Sequence, residues 1–172
     1  MNTRTSFLLA LMLIALAALS RLVPHPMNFA PITAIALFGG VYFNGKFSPI
    51  LPLAALLLSD LFLGFYEGMV WVYGSFLLVV VIGLLIRKHK TASVVFGATI
   101  VSSLLFFVIT NFGVWLSGVF YTKDFTGLVE CYTAAIPFYR NSVMGDLFYV
   151  TVMFGAYELA MKYFPKVQST KV

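Results

Sequence analysis

Six long apolar runs, separated by short segments that hold most of the charged residues, constrain this chain more than any other feature. A helix needs about 20 apolar residues to cross a hydrocarbon core of about 30 Å. Only 10% of the 172 residues are charged, against roughly 25% in soluble domains. The sequence therefore predicts a single domain over residues 1–172, an all-α integral membrane protein with six transmembrane helices. The predicted spans cover about 6–23, 29–43, 48–66, 69–86, 93–120 and 141–164.

This composition excludes a soluble enzyme and a nucleic-acid-binding module, because too few polar side chains are present to cover a water-facing surface.

The second run is short, and the sequence leaves open whether it spans completely. The first run also fits a secretory signal with Ala15 and Ala17 at a cleavage site. We expect it to be retained, since it is long for a signal core and five further spans follow. An amphipathic stretch, 128–138, precedes the sixth span.

The basic residues predict the orientation of the spans. With the N-terminus inside, three basic residues lie on the outer side: Arg21, Lys123 and Arg140. The other eight lie on the inner side: Arg4, Lys46, Arg87, Lys88, Lys90, Lys162, Lys166 and Lys171. Positive charge favours the cytoplasmic side of a membrane. We therefore expect a multi-pass protein of the bacterial cytoplasmic (inner) membrane with both termini in the cytoplasm, and the lipid bilayer accounts for the net charge of +5 without a nucleic acid.

Four predicted spans carry a polar or charged side chain at a similar depth in the outer leaflet: Arg21, Asp60, Asn111 and Asp146. Ionisable groups inside a membrane are costly and commonly mark functional sites. Helical spacing groups further residues with them. The three groups are Asp60, Gly64 and Glu67; Ser103, Phe107, Asn111 and Trp115; and Ser142, Asp146, Tyr149 and Met153. Aromatic walls with a few fixed polar groups are typical of small-molecule sites.

We therefore predict a substrate-binding site for a small solute, in which Arg21 holds an anionic group or balances the two acids. In this prediction Asn111 supplies hydrogen bonds, while Trp115 and Tyr132 stack on a ring. We predict no cofactor, no resident metal and no enzymatic activity. The lone Cys131 is either an inert buried thiol or a ligand. The full predicted site is Arg21, His25, Asn28, Asp60, Asn111, Trp115, Tyr132 and Asp146.

Three alternatives stay open from the residues alone. Arg21 could merely neutralise Asp60 or Asp146, and Asn111 could only bridge two helices. The chain could be a membrane enzyme that uses Asp60 and Asp146 as an acid–base pair. It could also be a structural or assembly subunit that binds no ligand. No nucleotide-binding motif is present, so energy for transport would come from a partner subunit or an ion gradient.

Several segments resemble an uncharacterised bacterial family of predicted transport proteins, namely 21–40, 59–64, 105–115, 135–138 and 145–146. That family is similar to the S components of energy-coupling-factor (ECF) vitamin transporters. The resemblance implies an S-component-like bundle that takes up a small vitamin-like solute from the outside. It also implies a partner, a transmembrane coupling subunit with cytoplasmic ATPases. The first span lacks the Ala-x-x-x-Ala pattern associated with such docking, so solitary action is the alternative.

Overall fold

The chain folds into six α-helices over the part that this structure, a computed structural model, describes, residues 3–163. The helices are α1 (Thr3–Ser20), α2 (Ile32–Tyr42), α3 (Phe47–Leu63), α4 (Met69–Ile86), α5 (Ala92–Ser117) and α6 (Phe125–Tyr163). A single 3-10 turn, Arg87–His89, joins α4 to α5, and no strand occurs in residues 3–163. The predicted inner-side Lys166 and Lys171, and the last residue of the sixth predicted span, lie outside the described residues. The all-helical prediction is confirmed for the described residues.

Three of the helical segments are long and apolar enough to cross a membrane: Met69–His89, Ala92–Ser117 and Phe125–Tyr163. The other three helices are apolar but shorter. The shortest, α2, has 11 residues, and a rise of about 1.5 Å per residue makes it roughly half as long as a hydrocarbon core is thick.

Large apolar side chains cover the outside of the bundle. Phe62 on α3 is 79% exposed and Leu85 on α4 is 75% exposed. Contiguous apolar surface of this kind is unfavourable in water and marks contact with a membrane or a partner. The outer surface is therefore suited to lipid.

The centre of the bundle is α2, which is buried along nearly its whole length, from Thr33 to Val41. It makes its closest contact with α4, where Gly40 faces Gly83. A Cβ atom on either glycine would collide with the backbone of the other helix. The two glycines therefore let the backbones of α2 and α4 approach closely.

At the end of the bundle where α2 terminates, Arg87 binds the backbone of the α2–α3 connection. Its guanidinium donates to the carbonyl oxygens of Gly40 (2.6 Å for Nη2) and Phe43, and to Asn44 Oδ1 at 2.7 Å. The last carbonyl groups of a helix have no partners within the helix. The Arg87 side chain therefore satisfies acceptors that α2 leaves open.

A second set of contacts closes the same end. Glu158 on α6 pairs with Lys90 at 2.9 Å and accepts a hydrogen bond from the Tyr42 hydroxyl at 2.6 Å. Lys90 also lies over the Tyr42 ring, 4.2 Å from its centroid. We call this region, where α2 ends and Arg87, Lys90 and Glu158 meet, the closed end.

The sixth helix is longer than the sequence predicts. The amphipathic stretch and the sixth predicted span form one helix of 39 residues, with Pro137 inside it. Gly127, Cys131 and Ala135 are all buried, and their spacing of four residues places them on one helix face. This buried stripe, rather than hydropathy, explains why the helix extends to Phe125.

Asp124 stands directly before α6 and caps it. Its Oδ1 accepts a hydrogen bond from the Gly127 N–H at 2.8 Å, an N-capping contact. The same bond holds the pKa of the Asp124 carboxyl below its ordinary value. Asp124 thus marks the start of α6, whereas the sequence predicts no membrane span in the segment that follows it, 125–140.

The third helix is shorter than the predicted span. It ends at Leu63, because Gly64 takes a positive φ of 91° and its N–H bonds to the Asp60 carbonyl oxygen. Glu67 therefore lies beyond the helix. The prediction that Asp60, Gly64 and Glu67 share a helix face is wrong for Glu67.

Candidate functional site

A cavity of about 500 Å³ lies at the end of the bundle where α2 begins, opposite the closed end. We call this the open end. Because α2 starts only at Ile32, the longer helices α5 and α6 extend past it and leave space between them. The polar residues that line the cavity are Arg21, His25, Asn28, Thr33, Ser103, Thr110, Asn111, Tyr139, Ser142 and Asp146.

Five of the eight predicted site residues line this cavity: Arg21, His25, Asn28, Asn111 and Asp146. They come from the α1–α2 connection, from α5 and from α6. The other three, Asp60, Trp115 and Tyr132, are not among the residues that line it.

Asp60 lies behind Arg21 as its partner. The Asp60 side chain is fully buried, and its Oδ1 lies 2.8 Å from Arg21 Nη2. Tyr73 donates its hydroxyl to Asp60 Oδ2 at 2.8 Å. Arg21 donates further to the Ser59 hydroxyl and, at 3.4 Å, to the Leu56 carbonyl oxygen. Of the two acids considered as partners for Arg21, the structure pairs it with Asp60.

Asp146 has no such partner. Its side chain faces the cavity, the residue is 3% exposed, and its Oδ2 accepts a hydrogen bond from the Ser103 hydroxyl at 2.6 Å. Within residues 3–163 no Lys, Arg or His nitrogen lies within ion-pair distance of it. Asp146 is therefore a buried carboxyl group whose neighbours supply only hydroxyl hydrogen bonds.

Trp115 and Tyr132 use their polar atoms on backbone carbonyl groups. Trp115 Nε1 donates to the carbonyl oxygens of Thr122 and Asp124, at 3.0 and 3.3 Å. The Tyr132 hydroxyl donates to the Val108 carbonyl oxygen at 2.6 Å. The two residues therefore fasten the α5–α6 hairpin, and the structure gives them no place in the cavity wall.

Other aromatic side chains form the wall. Phe106, Phe107, Phe138 and Tyr139 line the cavity, and the rings of Phe107 and Tyr139 lie 4.7 Å apart. The sequence analysis grouped Phe107 with Ser103 and Asn111 by helical spacing, but gave no role to Phe106, Phe138 or Tyr139. Recognising Phe138 and Tyr139 required knowing that 128–138 continues the last helix.

The α1–α2 connection crosses the mouth of the cavity. His25 is exposed, with its Nδ1 3.0 Å from the Pro26 carbonyl oxygen. Asn141 on α6 donates its side-chain amide to the Met27 carbonyl oxygen at 3.1 Å. Asn28 takes a positive φ of 60°, a conformation that asparagine tolerates better than most residues. These contacts hold the connection against α6.

Potential ligand groups for a metal are dispersed. Cys131 is buried, with its Sγ 3.5 Å from the Asn111 carbonyl oxygen, and it does not line the cavity. No group of three His, Cys, Asp or Glu residues in the part of the chain described here could hold a metal ion. The arrangement instead combines aromatic walls with fixed hydrogen-bonding groups, as small-molecule sites do.

Over residues 3–163, fold and cavity together define an all-α protein with three helices able to cross a membrane and a cavity lined by aromatic and polar side chains at one end of the bundle. Residues 1–167 match the family of unknown function DUF6580, and the chain belongs to that family. No curated protein and no solved structure matched the chain.

Proposed function

We propose that this protein is a six-span membrane protein that binds a small, vitamin-like solute at its outer side for uptake. The observation that carries the proposal is the cavity at the open end, which brings together polar residues from the α1–α2 connection, α5 and α6. Its volume of about 500 Å³ falls inside the range of roughly 300–1,000 Å³ found for small-molecule sites.

The distribution of basic residues supports an outward-facing cavity. Six described basic residues belong to the closed end or to segments adjoining it: Arg4, Lys46, Arg87, Lys88, Lys90 and Lys162. Three belong to the opposite side: Arg21, Lys123 and Arg140. The positive-inside rule then orients the closed end toward the cytoplasm. A solute would enter past the α1–α2 connection.

The short α2 is compatible with a six-span arrangement. In the proposed orientation, the cavity and the connection that carries Arg21, His25 and Asn28 would occupy the outer half of the bundle. The apolar side chains that α3 and α4 expose would face lipid. In this proposal the protein either acts alone or docks onto a transmembrane coupling subunit with cytoplasmic ATPases, as the resemblance to S components implies.

A volume change in the cavity wall tests the proposal. Ala135 on α6 is buried and lines the cavity, whereas its neighbour Ala134 is exposed on the outside of the helix. Ala135→Leu should fill part of the cavity, while Ala134→Leu adds the same side chain without touching it. Native mass spectrometry of the detergent-purified proteins would measure any co-purified small molecule.

We expect wild type and Ala134→Leu to retain the same small molecule and Ala135→Leu to lose it. A metabolite panel screened by thermal shift provides the second measurement. The proposal fails if wild type retains no molecule and if no compound raises the unfolding temperature of wild type by more than it raises that of Ala135→Leu. The cavity is then not a solute site. That result would favour a structural subunit.

A further inference from the structure

The charges buried at the open end do not balance. Arg21 and Asp60 form an ion pair at 2.8 Å with side chains 7% and 0% exposed, so these two charges cancel inside the protein. Asp146, 3% exposed, remains beside the cavity. A buried carboxyl group stays ionised only when a positive group or several strong hydrogen bonds accompany it, and otherwise it takes up a proton.

The neighbours of Asp146 satisfy it only in part. The Ser103 hydroxyl donates a hydrogen bond at 2.6 Å, and the Thr33 hydroxyl also lies at this carboxyl group. The N-terminus of α2 lies at the same cavity and has no side-chain cap. A helix N-terminus carries the equivalent of about half an elementary positive charge, which leaves the remainder of a carboxylate charge uncompensated. His25 also lines the cavity, but it is exposed and not within ion-pair distance.

The wall near Asp146 is aromatic. Phe107 lies one helical turn along α5 from Ser103, the residue that bonds Asp146, and its ring packs 4.7 Å from the Tyr139 ring. The faces of aromatic rings attract cations. An acid and aromatic rings that face the same cavity are the two features by which proteins bind organic cations.

We propose that the cavity takes a small organic cation, an ammonium group on an apolar or aromatic body, with its charge beside Asp146 and its body against Phe107 and Tyr139. This inference rests on the proposed function and names the class of its solute. The bound cation would supply the positive charge that the described chain does not place near Asp146.

Three probes that share one ring but differ in charge test the inference: benzylammonium, benzyl alcohol and benzoate. Each would be titrated into the full-length purified protein, with binding followed by calorimetry and thermal shift. We expect wild type to bind benzylammonium at least about tenfold more tightly than benzyl alcohol, and to bind benzoate most weakly.

Two variants on α6 assign that preference to one carboxylate. Asp146→Asn removes the charge and keeps an oxygen to accept the Ser103 hydrogen bond. This variant should therefore bind benzylammonium and benzyl alcohol about equally tightly. Glu130→Gln makes the same charge change at an exposed position of the same helix and should keep the preference of wild type. Far-UV circular dichroism checks that both variants are folded.

The outcomes separate this inference from the proposed function. Wild type could bind all three probes equally well, and Ala135→Leu could abolish that binding. This result overturns the cation inference and keeps the cavity as a solute site. A preference that survives in Asp146→Asn also overturns it. Failure of all three probes to bind wild type at millimolar concentration counts against the proposed function and against this inference with it.

Discussion

The two ends of α2 are built differently although one short helix joins them. At the closed end, Arg87 occupies the open carbonyl groups and Glu158 is held by Lys90 and Tyr42. At the open end, the Arg21–Asp60 pair lies beside a cavity of about 500 Å³, and Asp146 faces this cavity without a basic partner in residues 3–163. The first end is suited to holding helices together, and the second to receiving another molecule.

Arg87 at the closed end and Arg21 at the open end also bind different partners. Arg87 binds backbone carbonyl groups at a helix C-terminus, where a positive charge is favourable. Arg21, which directly follows the C-terminus of α1, instead pairs with the Asp60 carboxylate and donates to the Ser59 hydroxyl. A region that keeps polar groups for a ligand commonly gives up stability that the rest of the fold retains.

The largest effect we predict is the loss of one partner from the buried pair at the open end. Arg21→Met should lower the free energy of unfolding by about 3–5 kcal/mol, because Asp60 would remain buried without its counter-charge. Asp60→Leu should cost a similar amount for the same reason. The measurement is unfolding in mixed detergent micelles.

The double variant sharpens this prediction. With both charges removed, neither remains uncompensated, so the combined loss should be well below the sum of the single losses. Additive losses would show that the two side chains act independently. The open end would then contain three unpaired groups, Arg21, Asp60 and Asp146, rather than one, and the contrast between the two ends would no longer hold.

At the closed end we predict the second-largest effect. Arg87→Met leaves the carbonyl groups of Gly40 and Phe43 without their donor and should cost roughly 1.5–3 kcal/mol. Lys88→Met removes the same charge from the neighbouring residue, which is exposed, and should change stability little. The thermal midpoints of the two variants, measured beside wild type, decide the matter.

Equal losses in the two variants would mean that net charge, and not the contacts of Arg87, stabilises this end. Neither variant should alter solute binding, because Arg87 and Lys88 do not line the cavity. A binding defect in Arg87→Met with an unchanged midpoint would contradict the division of roles between the two ends.

Hydropathy was enough to predict most of the helices. The run 69–86 coincides with α4, and α1, α3 and α5 begin within three residues of their predicted starts. Hydropathy failed for 128–138, because an amphipathic stretch that contains Glu130 and Pro137 does not look like a span. That stretch is helical since Gly127, Cys131 and Ala135 form a buried stripe, a spacing that is visible in the sequence but that hydropathy does not detect.

The sequence was enough to predict the depth of the site residues along their spans, but not the direction in which their side chains point. Counting residues along each span placed Arg21, Asn111 and Asp146 at one level, and all three line the cavity. Depth does not tell which way a side chain points, which depends on how the helices pack. Trp115 and Asp60 were therefore assigned to the site, whereas one bonds the α5–α6 connection and the other supports Arg21.

The smallest effect we predict concerns the packing of α2 near the closed end. Gly83→Ala would place a methyl group against the Leu37 carbonyl oxygen and the Gly40 backbone, which should cost about 1–3 kcal/mol before any gain. Alanine recovers about 0.5–1 kcal/mol relative to glycine in a helix, so the net loss should be about 0–2.5 kcal/mol. Gly74 lies on the same helix with nothing within 4 Å of the added atom, and Gly74→Ala should be neutral or stabilising.

If both substitutions stabilise the protein in the same unfolding measurement, α4 does not approach α2 closely. The helices at the closed end would then be held together by the side-chain contacts of Arg87, Lys90 and Glu158.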